Sequence, residues 1–488
     1  MVNKKLIFIF TLTFLAQSYL YPKEVSLSLE EISKLALENN LDIQIAKFDT
    51  YIARNNLLET TSIFDTFFSA NLSYNQDKKD TASSLLGTKN LTNNYSLQIT
   101  KKIPLGTELE ISAYNQRNWS NSLFFSLNPH TEAGVSLSIK QSLAKNFFGL
   151  KDKANIKITK LDIENSEFSS LENIELSLAE IQKAYWELVL RYEELKIKQD
   201  MLEQARRLYE IYREKMKIGL AEEPDLLAAQ ANLALRENDV LEAKLLLRQA
   251  KNNLLYLLNI TDKDIEIIPK DKLDVLPEEF DLYSELKKAV ESRRDYKIVK
   301  NQVEIRDIDL AIKKNSLWPE IDLEASFTKN GISSHYKSSW SEVSNQDNSQ
   351  VYIGLKISFP WEKRKEKAQY NKAKLEKAKT LILLKRLERL IFRQINNDVL
   401  KVNTLSEQVK TFKEVLKIEK EKLKKEEEKL NYGRSSSDII IRFQEDVLNS
   451  SLMLANSLYA YKISLIDLEQ DKDTLLSKYW GGVYEEIS

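Results

Sequence analysis

The 488-residue chain contains no cysteine, which excludes disulfides, thiolate metal sites and a lipid-anchored N-terminal cysteine. Its two histidines, His130 and His335, stand far apart in polar stretches and form no HExxH-type metal motif. With only 10 glycines, and neither GxGxxG nor GxxxxGK[ST], the common phosphate-cradling loops are missing too. No paired-carboxylate motif supports an enzyme, so no catalytic residue, metal or cofactor is expected. An excess of one charge is also lacking: 72 Lys plus Arg against 73 Asp plus Glu leave a formal net charge of -1. That balance argues against a nucleic acid partner bound through overall basicity. What the chain has is 42% hydrophobic and 30% charged residues, enough for a large core and against wholesale disorder.

Residues 1–21 read as an export signal: Lys4 and Lys5 are the charged start, and Leu6 to Leu15 an apolar stretch of about ten residues. The competing reading is a buried N-terminal helix or an anchor. Beyond this segment no apolar run reaches the roughly 20 residues that a spanning helix needs. Any membrane crossing by the remaining chain must therefore use strands.

A shift of roughly 253 residues aligns Ala36, Glu38, Asp42, Ile45, Lys47, Ile52 and Leu57 with Ala289, Glu291, Asp295, Ile298, Lys300, Ile305 and Leu310. Lys217-Ile218-Gly219, with Asp225 and Gln230, returns about 214 residues later as Asn431-Tyr432-Gly433, with Asp438 and Gln444. The chain thus divides into a first repeat over 22–262, a linker over 263–280 and a second repeat over 281–488. The first repeat carries roughly forty extra residues, located near 93–131. Each repeat reads as helix, strands, very long helix, turn, helix. Opening helices are expected near Leu27 to Ser62 and Asp281 to Ser316, with Ser28 and Glu31 as a capping box.

Alternating segments at Phe68 to Tyr74, Tyr95 to Ile99, Ile321 to Phe327 and Val351 to Ile357 predict strands, joined by polar loops over Asn75 to Asn94 and Thr328 to Gln350. Such strands suit a membrane barrel, and Phe67, Tyr74, Phe327 and Trp361 are candidate interface aromatics. Half-buried strands of a soluble sandwich alternate in the same way. The helical signal is stronger. Ile174, Leu178, Ile181, Tyr185, Leu188, Tyr192, Leu195 and Leu202 form a coiled-coil seam, as do Val402, Leu405, Val409, Phe412, Leu416, Leu423 and Leu430. No proline interrupts either stretch, so helices run from about Lys153 to Lys217 and from about Lys363 to Leu430, each on the order of 100 Å long. Both stop at a glycine, Gly219 or Gly433, giving tip turns near 219–225 and 433–438 before the chain returns as another helix. The charged run Lys417 to Lys429 reads as a solvated helix face with i to i+4 ion pairs.

Leu27 to Asn40, Gly219 to Gln230 and Tyr432 to Asp438, taken with the duplication and the helix lengths, resemble the TolC family of outer-membrane efflux proteins. The resemblance covers nearly the whole mature chain. It implies an α+β fold, mostly α: a trimeric outer-membrane β-barrel continued by a long periplasmic α-helical coiled-coil barrel. It also implies a passive exit duct for a tripartite efflux or type I secretion system. The implied partners are two further copies, outer membrane lipid, a periplasmic adaptor and an inner-membrane transporter. The alternative is a periplasmic coiled-coil spacer or adaptor without a channel. By resemblance, Arg434 matches a gate arginine, Asp225 its acidic partner and Asp438 a ring aspartate at a closed tip. Both aspartates equally suit the N-cap of a returning helix, and the two roles are compatible. The family's second ring aspartate falls on Ile441 or Arg442, a departure that weakens a cation-selective ring. A second departure is the extra hairpin. Strands near Tyr95 to Lys101, Glu108 to Tyr114 and Gly134 to Ile139 bring the first repeat to four where the family has two. The added pair either widens the barrel or folds outside it.

Overall fold

The computed structural model describes residues 23–80, 85, 87–262, 265–275 and 278–479. The expected signal peptide, 1–21, lies outside the described residues. The chain clusters into two compact units, each assembled from segments of both sequence halves. The first holds residues up to Ile45, Asn173–Ser292 and Arg393 onward, and the second Ala46–Glu172 and Arg293–Phe392.

The first unit is helical. Strand β1 (Lys23–Leu27) precedes α1 (Leu29–Asn39), whose capping box forms: the Ser28 side chain accepts from Glu31 N–H, and Glu31 accepts from Ser28 N–H. The expected single helix from Leu27 to Ser62 instead breaks at Asn40, and α2 follows at Leu41–Thr61. The reason is local. Asn40 leaves helical geometry at ψ 131°, and its side chain accepts from Ile43 N–H at 2.9 Å while donating to the Leu257 carbonyl at 2.7 Å. The second opening helix breaks likewise at Arg293, into α5 (Leu282–Ser292) and α6 (Arg294–Asn315).

Helix α3 (Leu150–Lys217) is one uninterrupted helix of 68 residues, and α4 (Glu223–Leu257) returns from it for 35. Further along the chain, α8 (Arg364–Asn431) again has 68 residues and α9 (Ser437–Asp471) again 35. The seam residues Ile174, Leu178, Ile181, Tyr185, Leu188, Val402 and Val409 are completely buried. Apolar residues at heptad spacing thus hold these helices together, while others such as Leu375, Ile382 and Leu400 remain exposed. The stretch expected to be a plain linker contains β6 (Ile265–Pro269), which pairs in parallel with β1. Tyr185 fastens this pair, donating to Asp271 Oδ2 at 2.7 Å and lying 3.1 Å from the Leu27 carbonyl, and Leu29 N–H donates to the same Asp271 oxygen at 2.7 Å. Burial and the Asp271 carboxylate push the Tyr185 hydroxyl far up, so it remains a donor.

The second unit contains one six-stranded antiparallel sheet, in the order β2 (Thr66–Asp77), β3 (Asn90–Ile103), β4 (Thr107–Ser120), β5 (His130–Ser142), β7 (Glu320–Ser333) and β8 (Ser349–Ser358). Every strand extends beyond its alternating segment, because flanking Asn, Gln and Thr residues continue the ladder. The stretch Thr328 to Gln350, expected to be loop, holds the end of β7 and a short helix, α7 (Tyr336–Asn345). Its packing needs Gly331, since a Cβ there would lie 2.3 Å from the Ser339 carbonyl oxygen. A last short helix, α10 (Leu475–Tyr479), packs in the helical unit, where Glu175 accepts from Leu475 N–H at 2.8 Å.

Candidate functional site: a two-faced sheet and paired helical tips

The register of the sheet aligns the alternation of all six strands. Phe68, Ala70 and Leu72 lie beside Ile99, Leu97 and Tyr95, and these beside Ile111, Ala113 and Asn115. The row continues through Leu137, Val135 and Ile139 to Phe327, Ala325 and Leu323, then to Val351, Ile353 and Leu355. One face is therefore an apolar band reaching both edges. It is also bare: Leu72 and Ile353 are each 73% exposed, and Leu137, in the middle, 44%. From Val351 to Ile357 the band is about 20 Å tall at 3.4 Å per residue. Lys101, Arg117 and Lys329 follow the apolar segments of their own strands on the same face, Lys101 beside Leu109 and Lys329 beside Val135, and their long stems let the charges reach toward a polar boundary. The opposite face carries Ser69, Asn71, Ser96, Gln98, Ser112, Ser136, Ser326 and Thr328. A soluble domain rarely leaves an apolar patch of this extent uncovered.

Aromatic residues gather where the strands meet the helices. Phe67, Phe147, Phe148, Trp318, Phe359 and Trp361 are all exposed there, Trp361 by 84%. Of the expected girdle, Tyr74 and Phe327 lie on the apolar face, while Phe67 points from the opposite face at the strand's first turn. Phe147, Phe148, Trp318 and Phe359 escaped the sequence reading because they sit outside the alternating segments. Aromatic side chains concentrated at one level are the usual residents of a membrane–water boundary.

The two tips, in the helical unit, end alike. Gly219 (φ 71°) and Gly433 (φ 68°) adopt left-handed conformations. Leu220 N–H donates to the Lys215 carbonyl at 2.8 Å, and Arg434 N–H to the Lys429 carbonyl at 2.9 Å, closing a Schellman turn in each hairpin. Asp225 lies in the first turn of α4 and Asp438 in the first turn of α9. Neither is the capping residue itself: Glu222 and Ser436 hold those positions, without side-chain capping bonds. The link between the hairpins comes from a residue the sequence reading passed over. Ser437, 1% exposed, donates its hydroxyl to Asp225 Oδ1 at 2.6 Å. Beneath it, Leu208, Tyr212, Ala229, Leu430 and Ile440 form an apolar cluster. Burial pushes the Tyr212 hydroxyl up, aided by the charges of Asp225 and Asp438. Arg434 is exposed and forms no ion pair among the described residues. In the charged run behind the tip Lys425 pairs with Glu421 at 2.9 Å and Lys429 with Glu426 at 2.8 Å, but the run is not wholly a solvated face: Glu426 is buried and Lys422 reaches Asp446 on α9 at 2.7 Å.

Residues 32–259 match the family model described as outer membrane efflux protein. The match spans just under half of the chain and marks that stretch as similar to outer membrane efflux proteins. No curated protein sequence matches the chain. Among solved structures, the Campylobacter jejuni CmeC outer membrane channel is 17% identical with a TM-score of 0.66, covering 94% of this chain and 89% of that one. The VceC outer membrane protein of Vibrio cholerae is 14% identical with a TM-score of 0.66, covering 91% and 96%. The open state of the Neisseria gonorrhoeae MtrE outer membrane channel is 16% identical with a TM-score of 0.65, covering 92% and 89%. At these identities the likeness establishes the fold. Among the described residues no cluster of acidic or histidine side chains is arranged to hold a metal ion, and no helix is long and apolar enough to cross a membrane.

Proposed function

We infer that this protein is an outer-membrane efflux channel, the passive exit duct of a tripartite export system. The observation that carries the reading is the two-faced sheet. Its bare apolar band, bounded by aromatics at the helix end, fits lipid, and its Ser- and Asn-rich face fits water. Six strands of 10 to 14 residues each are long enough for the roughly 9–11 that a tilted membrane strand requires. One open sheet cannot span a membrane, because its edges would leave backbone groups unpaired in lipid. Closure into a shared barrel by three copies supplies the missing pairs, and the helices of the same three copies form the periplasmic tunnel. The equal lengths of α3 and α8, and of α4 and α9, support descent from a duplicated unit.

The tips are the channel's periplasmic end, where an adaptor and an inner-membrane transporter engage. With Asp225 held by Ser437 of its own chain, Arg434 is available to a carboxylate of a neighbouring copy, such as Asp225 or Asp438. Exposed links of this kind are worth about 1 kcal/mol each, weak enough for a partner's binding to open. A spacer or adaptor role without a channel is disfavoured, since it gives the apolar face nothing to bury against. The test is single-channel conductance in a planar bilayer, comparing the protein with Arg434→Ala. A small conductance that rises in the variant supports a tip held shut by Arg434. Equal, large conductance removes Arg434 from the gate, and monomers with no conductance defeat the channel reading.

A further inference from the structure

We propose that the β3–β4 hairpin is part of the transmembrane wall, so that each copy contributes six strands and the pore is wider than a four-strand contribution would make it. The inference rests on the channel reading above and concerns the width of the pore. Three observations carry it. First, the hairpin lies inside the sheet, between β2 and β5, with paired register on both sides: Phe68 to Ile99 and Leu72 to Tyr95 on one, Ile111 to Leu137 and Ala113 to Val135 on the other. A hairpin folded outside the wall would leave β2 and β5 to pair with each other. Second, its two faces continue those of its neighbours. Tyr95, Leu97, Ile99, Leu109 and Ile111 extend the apolar band, while Ser96, Gln98 and Ser112 extend the polar face. Third, its turn is built into the base of the sheet. A Cβ on Gly106 would lie 2.8 Å from Gly149 N, and one on Gly149 only 2.3 Å from the Pro104 carbonyl oxygen, so both glycines permit a close backbone approach. Beside them Lys102 pairs with Asp152 at 2.8 Å, at the start of α3.

The edges of the sheet agree with this count. Each strand runs opposite to its neighbour, so with six strands β2 and β8 run in opposite directions, and β8 of one copy can meet β2 of the next in antiparallel pairing. Neither edge carries a proline, and β8 has a single charged residue, Lys356, on the polar face. Apart from Lys356, these two strands carry little that would protect a free edge, and the apolar band runs to both edges, as a seam between copies requires. Three copies then close an eighteen-stranded wall from six strands each, against twelve from four. Since diameter grows roughly linearly with strand number, the barrel is about 1.5 times as wide, and its cross-section about doubles. The occupant that fits the wider mouth is cargo of larger cross-section.

The test is a strand count in a cryo-electron microscopy map of the full chain purified from outer membranes in detergent. Six wall strands per copy are expected, with β2 beside β8 of the adjacent copy. A closed barrel with four wall strands per copy and the segment from Asn90 to Ser120 outside it overturns the inference and leaves the channel intact. A monomeric, open sheet overturns the inference and the channel reading together. Independently, in this cysteine-free chain, Ala70→Cys with Leu97→Cys and Ala113→Cys with Val135→Cys are each expected to cross-link within one chain in outer membranes. Failure of both pairs in an assembled trimer would again place the hairpin outside the wall.

Discussion

Placing an arginine on one face of the sheet and then on the other separates lipid from water as neighbours. Leu137 is in the middle of β5, between Ile111 and Phe327, and is 44% exposed in the isolated chain. If lipid covers that exposure, Leu137→Arg brings a guanidinium near the bilayer midplane, at a cost of about 2–4 kcal/mol per copy. At 1.4 kcal/mol per factor of ten, that lowers the folding equilibrium by roughly 30- to 1,000-fold. Ser136 is its immediate neighbour on the opposite, polar face, next to Ser112 and Thr328. Ser136→Arg faces water in the barrel and is expected to cost under about 1 kcal/mol. The assay is urea denaturation of each variant folded into phosphatidylcholine vesicles, paired with the yield of heat-resistant oligomer from outer membranes. A large loss for Leu137→Arg beside a near-neutral Ser136→Arg is the expected pattern. Equal costs at the two positions, or a larger cost at Ser136, would refute the assignment of faces and with it the membrane barrel.

At the tip, Ser437→Ala removes the 2.6 Å donor to Asp225; a destabilisation of about 1.5–3 kcal/mol is expected, seen as faster amide exchange around 219–226 and 433–440. Gly433→Ala meets no atom within 4 Å, so its cost should be limited to the left-handed backbone, about 1–2 kcal/mol, measured as a lowered unfolding midpoint. Asp398, on α8, titrates in an unusual range: burial and the facing carboxylates of Asp471 and Asp467 on α9 push it up to about 7, against an opposing pull from Lys401. An acid whose folded pKa lies above its unfolded value, about 3.9, binds more protons when folded, so its stabilising contribution is lost as pH rises from about 4 through about 7. With partial solvent screening the effect amounts to about 1–2 kcal/mol. Asp398→Asn should flatten this slope, raising the melting temperature at pH 8 more than at pH 5, and equal shifts at both values would contradict the assignment.

The long helices were legible because a heptad seam without proline leaves few alternatives, and residues such as Ile174 and Val402 lie buried as their spacing requires. The strands were legible from alternation, yet alternation alone could not say what covers the apolar side. That answer needed the register, which aligns six separate apolar rows into one bare face. Strands β1 and β6 escaped because five-residue segments 242 positions apart carry no local sign of pairing. Helix α7 escaped because Ser and Asn dominate it and its packing depends on the absence of a side chain at Gly331. At the tip the charged residues drew attention, whereas the bond between the hairpins is made by Ser437, one of three consecutive serines whose run reads as a simple turn.

The parallel pair of β1 and β6 also bears on how the chain comes to be assembled. Lys23 pairs with Ile265 and Leu27 with Pro269, and the Tyr185 clasp needs Leu27 and Asp271 together. A chain delivered from its N-terminus therefore exports residues 23–27 long before their partner emerges, and closing a loop of that size is slow compared with forming a helix hairpin. During that interval the early strand has an unpaired edge and the Tyr185 hydroxyl lacks its Asp271 acceptor. The N-terminal strand thus stays without its partner until the chain has passed residue 271.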